Sequence, residues 1–451
     1  MTLTPHTSFA LVLAGVLAAA PAAVAPASLA GHWVGTAGAR QEFALHAHIF
    51  VENGVMMGTI DIPATGGRGI PLTVKASGDS VHLEFARTLV LDGQMAADSM
   101  VGVATFVGRP GRFRLRRSAA PTLPYREEEV VFRNGAVTLS GTLMMPQSPG
   151  PRPAVVLLDG SGAALRFQNA FFADHMARLG IAALIFDKRG AGRSTGDWMA
   201  ADLDDLAGDG VAGVELLKAR PEVDARRIGV MGGSDAGWVL PLTASRSSDI
   251  SFVISLAAST TSMAEDGAAR LRLGLHALGA PDSDVALAVG LFKQDNEVTR
   301  TGKGMAELQA RAAGAAREPW FRLMGFKARP VDDPSRLWAR RVIDVDPMVS
   351  TQKLKIPSLW IYGGADRNTP TSENVARLER LKKSGRDITI RVLAGADQAL
   401  WVQDPTNRAA WPRLAPECAE AIDGWLRRQG LSGTKGAAQQ PAEPTAQPQP
   451  H

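Results

Sequence analysis

Cysteine is almost missing from this chain: Cys418 stands alone among 451 residues. A single thiol excludes an intramolecular disulfide and a cysteine-based metal site. Charge of one sign is missing too. The 49 Lys and Arg against 45 Asp and Glu leave a net charge of +4, with no long basic block and no basic stripe interleaved with aromatics. Nucleic acid is therefore not an expected partner. Past residue 20 no stretch is long and apolar enough to cross a bilayer, so no membrane span is expected in the mature chain. Histidine is scarce toward the end: after Asp366 the only one is His451, the last residue.

What is present begins with an apolar stretch, Phe9 to Ala20, followed by small residues at Ala23-Val24-Ala25 and Ala25-Pro26-Ala27. That pattern reads as a signal peptide over residues 1–25. Its n-region has only the terminal amine and His6. An uncleaved membrane anchor is the alternative, opposed by Pro21 and the short apolar span. Either way the rest of the chain is expected outside the cytoplasm, periplasmic or secreted.

Hydrophobic residues at 45% and charged residues at 21% fall in the globular range. The length calls for two or three domains. Residues 29–117 alternate apolar and polar, as in Phe43-Ala44-Leu45-His46-Ala47-His48-Ile49-Phe50, with breaks at Glu52-Asn53-Gly54, Gly66-Gly67 and Ser77-Gly78. Short strands punctuated by turns predict a small barrel or sandwich. A Pro-containing joint, 119–124, leads to a hairpin around Asn134-Gly135. From there apolar strands alternate with helical periods, which predicts an α/β fold with a mostly parallel sheet over 125–258 and 346–430. Residues 259–345 read as a helical lid, and 431–451, rich in Pro, Gln and Ala, as a disordered tail.

The strongest chemical signal is Ile228-Gly229-Val230-Met231-Gly232-Gly233-Ser234-Asp235-Ala236-Gly237-Trp238. A strand, a glycine turn and a helix in that order form a nucleophile elbow, with Ser234 as the nucleophile. A glycine-rich turn with an incidental serine is the bland alternative. Asp366, after the glycine turn at Gly363-Gly364, follows in the chain order expected of a triad carboxylate; a helix cap is its alternative. Oxyanion donors are expected from the backbone of Asp235 and from the loop Asp159-Gly160-Ser161-Gly162, with Ser161 the candidate. A base is not found among the residues after Asp366, apart from the terminal His451. His175 and His276 are candidate substitutes, although packing or surface positions are the plainer reading of both. His46 and His48 share one face of a strand and read as a solvent-facing pair rather than metal ligands.

The segment Asp187-Lys188-Arg189-Gly190-Ala191-Gly192-Arg193-Ser194-Thr195-Gly196 closely resembles the D-K-R-G-x-G-x-S-T-G loop of secreted bacterial α/β-hydrolases of the esterase/S33-aminopeptidase-like group. The resemblance spans about 120–430. More weakly, 29–117 resembles the lipocalin-like β-domain found ahead of some of them. It implies an α/β-hydrolase fold, carboxylic ester hydrolysis, and no metal or organic cofactor. It also implies a histidine in the segment that here reads Gly395-Ala396-Asp397-Gln398-Ala399-Leu400-Trp401, so Gln398 stands in the base position. Asp159 and Ala236 are further departures. Two functions are then expected: a serine hydrolase, impaired, acting on small apolar esters, or a ligand-binding pseudoenzyme. Trp238 and Trp401 are expected as apolar pocket walls in either case. No sequence feature supports a peptidase, and none reports the oligomeric state.

Overall fold

The computed structural model describes residues 29–39, 41–52, 54–407 and 410–432. The expected signal peptide lies outside them, as does most of the expected tail. Eight antiparallel strands come first: β1 (Gly31–Gly38), β2 (Glu42–Glu52), β3 (Val55–Ile62), β4 (Gly67–Ser77), β5 (Ser80–Phe85), β6 (Leu89–Ala96), β7 (Ser99–Phe106) and β8 (Arg109–Ser118). Each pairs with the next, and β1 pairs with β8 to close a barrel without edges. Alternation decides what faces in. On β2, Phe43, Leu45, Ala47 and Ile49 are buried while Ala44, His46 and His48 are partly exposed. Trp33, Leu45, Ile60, Leu83, Leu91 and Leu115 fill the interior. These side chains pack against one another as the barrel's core.

The hairpin follows as β9 (Tyr125–Asn134) and β10 (Val137–Pro146), turning at Gly135 with φ +58°. Then come β11 (Arg152–Leu158), α1 (Ala170–Arg178), β12 (Ala182–Phe186), α2 (Leu203–Lys218), β13 (Val223–Gly233), α3 (Ala236–Arg246) and β14 (Ile250–Leu256). Five helices interrupt the alternation: α4 (Met263–Ala277), α5 (Asp282–Thr301), α6 (Met305–Gly314), α7 (Pro319–Met324) and α8 (Pro334–Val342). They bury a small core of their own around Leu275, Val289, Leu291, Leu308 and Trp320. The short α9 (Met348–Thr351), β15 (Ser358–Gly363), α10 (Thr371–Lys383), β16 (Ile388–Leu393), the two-residue β17 (Trp401–Val402) and β18 (Arg413–Leu414), and α11 (Pro416–Arg428) complete the chain.

The main sheet runs β16-β15-β14-β13-β11-β12-β10-β9, parallel from β12 through β16 and antiparallel at the β9–β10–β12 end. Both faces of its centre are covered, so β11, β12 and β15 are buried along their whole length, while β9 and β16 at the edges are partly exposed. Along β11, Val155 and Leu157 join the core under α1 and α11, while Ala154, Val156 and Leu158 join the one under α2 and α3. One boundary needs correction. Leu431, expected to open the disordered tail, is buried among Trp425, Leu426 and their neighbours, with its N–H bonded to Leu426 O. Its apolar side chain completes the α11 core, which a reading based on tail composition missed.

Candidate active site

Ser234 sits at φ +55°, left-handed backbone that a serine adopts at a cost of about 1–3 kcal/mol. The turn is possible because neighbours lack side chains. A Cβ on Gly232 would stand 2.7 Å from Leu158 O and 2.9 Å from Ala236 Cβ, and one on Gly233 would stand 2.9 Å from Leu256 O. Ala236 is tolerated because it abuts a glycine. Gly237 is the position with no room, since a Cβ there would lie 2.6 Å from Ser259 O. Ser234 N–H donates to Leu256 O at 3.0 Å, and Gly237 N–H to Ser234 O at 2.9 Å. Strain, crowding and hydrogen bonds together define an elbow at the carboxyl end of β13.

Two further loops converge there from β15 and β16. Gly363 explains how: a Cβ would lie 2.3 Å from both Ala396 O and Asp397 O, so only glycine lets the second loop cross the first. Ala365 N–H donates to Ala396 O at 2.9 Å and locks the crossing. Asp366 then accepts at Oδ1 from the N–H groups of Asn368 and Thr369, at 2.7 and 2.9 Å. Its Oδ2 is buried without a hydrogen-bond partner among the described residues. Burial raises its carboxyl above the ordinary range, against the pull of those two amides. Gln398 Nε2 donates to Ser234 Oγ at 3.3 Å, and Gln398 Oε1 accepts from Asn368 Nδ2 at 2.7 Å. Ser234, Gln398 and Asp366 thus share one site, but Asn368 is interposed in the hydrogen-bond chain. Sequence reasoning missed Asn368; its place two residues after the acid was the available signal.

The loop after β11 lies against the elbow. A Cβ on Gly160 would be 3.6 Å from Ser234 Cβ and 3.8 Å from the Asp235 amide nitrogen. The Ser161 side chain hydrogen-bonds the Asp235 carboxylate, which burial pushes upward while Arg270 and Lys188 pull it down. Lys188 Nζ donates to Gly160 O at 2.8 Å. Burial lowers this ammonium and raises its neighbour Asp159, whose Oδ1 accepts from Asn169 Nδ2 at 2.5 Å. A buried ionisable pair beside Ser234 was not foreseen, although Lys188 lies inside the D-K-R-G segment. The rest of that segment is a structural clip. Asp187 receives Arg166 through Nε at 3.1 Å and Nη2 at 2.9 Å, and Arg189 grips buried Asp209 at 2.7 Å through both Nε and Nη2.

Neither expected tryptophan wall lines the site as anticipated. Trp238 is 3% exposed in the core beneath α3, its indole N–H bonded to Thr261 O at 2.8 Å; its helical phase turns it inward. Trp401 turns to the barrel, donating through Nε1 to Thr65 O at 2.7 Å and packing on Phe106 with ring centroids 5.9 Å apart. The candidate substitute bases are engaged elsewhere. His175 Nε2 lies 2.6 Å from Asp423 Oδ1 and joins α1 to α11, while His276 lies in the lid, 3.7 Å from Asp282. Among the described residues no histidine hydrogen-bonds Ser234. His46 and His48 face outward on β2, where His48 stacks on His32 with centroids 4.1 Å apart. No group of three or more His, Cys, Asp or Glu able to hold a metal gathers among the described residues.

Comparison with known proteins adds kinship to this geometry. A family model described as X-Pro dipeptidyl-peptidase (S15 family) matches residues 134–402. The quorum-quenching protein AidA of Acinetobacter baumannii is 27% identical over 134 residues, 30% of this chain and 44% of that protein. An uncharacterized protein of Mycobacterium tuberculosis is 33% identical over 117 residues, 26% of this chain and 40% of that one. The matches thus span less than half the length of these curated relatives. Among solved structures, a Pyrococcus furiosus esterase is 18% identical with a TM-score of 0.44, covering 69% of this chain and 96% of its own. The thermophilic esterase Est2 of Thermogutta terrifontis is 17% identical with a TM-score of 0.43, covering 68% of this chain and 94% of its own. The family match takes in the elbow, the acid loop and the loop of Gln398, and extends over more than half of the sequence: this α/β-hydrolase chain belongs to the X-Pro dipeptidyl-peptidase (S15) family.

Proposed function

We propose that this protein is an impaired serine hydrolase that cleaves carboxylic esters through an acyl-serine at Ser234. The observation that carries the reading is the amide at 3.3 Å from Ser234 Oγ. Nucleophilic attack needs the serine proton removed. Gln398 offers the serine an N–H donor, its oxygen being held by Asn368. An amide has no useful basicity near neutral pH in any case. The N–H groups of Ser161 and Asp235 are the proposed oxyanion donors. In subtilisin, loss of the histidine costs about 10⁶ in kcat and leaves roughly 10³–10⁴ over water.

Leaving-group chemistry favours esters over peptides. A departing amine must be protonated by the imidazolium of the triad, whereas an activated alkoxide leaves without that proton. Peptide cleavage, the activity in the family's name, is therefore the reaction most weakened here. A second reading, a ligand-binding pseudoenzyme, is favoured by Gln398 itself: its amide is hydrogen-bonded at both ends, a stable arrangement with no base in waiting. Labelling with a serine-directed fluorophosphonate and turnover of p-nitrophenyl acetate separate the two. Slow turnover and weak labelling, both lost in Ser234→Ala, support the hydrolase. A rate untouched by Ser234→Ala sinks it in favour of binding. We also propose export with removal of about 25 residues; an intact Met1 on the exported species, seen by mass spectrometry, would overturn that.

A further inference from the structure

We propose that the barrel positions the loop bearing residue 398, with Trp401, Trp411 and Arg109 as the positioning residues. The loop and its extension form one clamped unit. Asp397 N–H donates to Trp401 O, and the N–H groups of Ala399 and Trp401 donate to Asp397 Oδ1, each at 2.9 Å. Leu400 holds φ +57° within this turn, and its carbonyl accepts from Ala415 N–H at 2.8 Å. Beyond it β17 pairs with β18, Trp401 opposite Leu414 and Val402 opposite Arg413.

Residues on either strand of this pair reach the barrel. Trp411 is 2% exposed and belongs to the barrel's own hydrophobic core, its ring 5.1 Å from Phe106 and 5.9 Å from Phe43 between centroids. Arg109, the first residue of β8, donates to Ala410 O and, at 2.9 Å, to Gln403 Oε1. Trp401 reaches the carbonyl of Thr65, within the β3–β4 connection. Three anchors of different chemistry thus tie one loop to the barrel. The other side of the site leans on it as well. Phe85 meets Phe167 edge-on at 5.6 Å, just past the Gly160 loop, and Arg68 donates to Asp174 on α1 at 2.7 Å.

The barrel's core is packed with its own apolar side chains, yet it also takes in a tryptophan from the distant end of the chain. A rigid abutment for the turn at 397–401 accounts for both facts, because a misplacement of about 1 Å in a reacting group costs on the order of 10² in rate. The functional weight of this inference rests on residue 398 occupying the base position, but the mechanical coupling does not.

Hydrogen exchange on the intact chain, followed by mass spectrometry over 394–402, tests the coupling whatever the activity. Trp401→Phe, Arg109→Ala and Trp411→Ala should each speed exchange of the amides of 397–401 about 10-fold or more, with β15 and α10 unchanged and Trp411→Phe restoring protection. Should Trp411→Ala fail to fold, Trp401→Phe and Arg109→Ala decide. Faster exchange in the barrel strands with 397–401 unmoved would overturn the inference. In a Gln398→His background, the imidazole pKa read by NMR should lie above the ordinary value of about 6.5. Adding Arg109→Ala should return it toward that value. An imidazole pKa insensitive to Asp366→Asn would instead count against the base-position reading, leaving the exchange result to judge the positioning.

Discussion

Gln398 turns the donor end of its amide to Ser234, 3.3 Å from Oγ, in a site where Asp366 keeps one carboxylate oxygen without a hydrogen-bond partner among the described residues. Asp366 Oδ1 accepts from two backbone amides, and Oδ2 is buried without a hydrogen-bond partner among the described residues. The imidazole of a complete triad would fill that gap, with one nitrogen bound to the acid and the other to the serine. The vacancy in chemistry therefore has a matching vacancy in hydrogen bonding.

Gln398→His should raise hydrolysis of an activated ester by about 10²-fold or more, the usual scale of general-base catalysis. The gain should vanish with Ser234→Ala and largely vanish with Asp366→Asn. Asn368 is the obstacle, because its Nδ2 donates toward the residue at 398 and would favour the imidazole tautomer that lacks a proton for Asp366. Adding Asn368→Ala should increase the gain. Steady-state rates of the four variants decide; a Gln398→His rate equal to the parent's would mean that the oxyanion loop has also been lost.

Asp366 also makes a pH statement. Burial raises its pKa, so the folded chain holds that proton more tightly than the unfolded chain does. Its contribution to stability is full below the ordinary aspartate range, near 4, and is lost as pH rises through the raised value. Asp366→Asn keeps an acceptor for the two amides and removes the buried charge. The variant should therefore melt at or above the parent temperature at pH 7, with its advantage shrinking toward pH 4. A clear loss at pH 7 would show that the carboxylate has a stabilising partner.

How much of this was legible beforehand depends on the range of the interactions. The elbow was readable because its requirements are local: a strand, residues without side chains, and a serine within one turn. The order of Ser234, Asp366 and position 398 followed from chain order and family resemblance. Asn368 was marked only by its place two residues after the acid; its bond to Gln398 was not readable, since that contact depends on two loops crossing at Gly363. The two tryptophans were misread for a similar reason. Trp238 is turned inward by helical phase, and Trp401 is captured by a barrel more than three hundred residues earlier in sequence. Leu431 looked like the start of a polar tail because composition averages over neighbours, while burial is decided residue by residue.

Gly363→Ala should separate the acid from residue 398 without touching either. Its Cβ would press on two carbonyl oxygens at 2.3 Å, both backbone atoms with little freedom to yield. Overpacking of this kind costs typically about 1–3 kcal/mol. Denaturant melts should show that loss, and the Gln398→His gain should fall sharply in the double variant. Retention of the full gain would mean that the loops cross with more tolerance than these distances allow.

Two truncations separate the contribution of Leu431 from that of the residues C-terminal to it. Ending the chain after Ser432 removes a segment with no apolar period and should leave the melting temperature within about a degree, the scale of a neutral surface change. Ending it after Gly430 also removes Leu431, whose side chain packs in the core with Trp425 and Leu426. Burying a leucine is worth roughly 1.5–3 kcal/mol. The shorter chain should therefore melt roughly 2–4 degrees lower than the longer one. Calorimetry on the pair reads the difference directly. Equal melting temperatures would mean that α11 closes the core without its last apolar residue, and a large drop on ending the chain after Ser432, relative to the full chain, would show that residues beyond Ser432 dock on the fold.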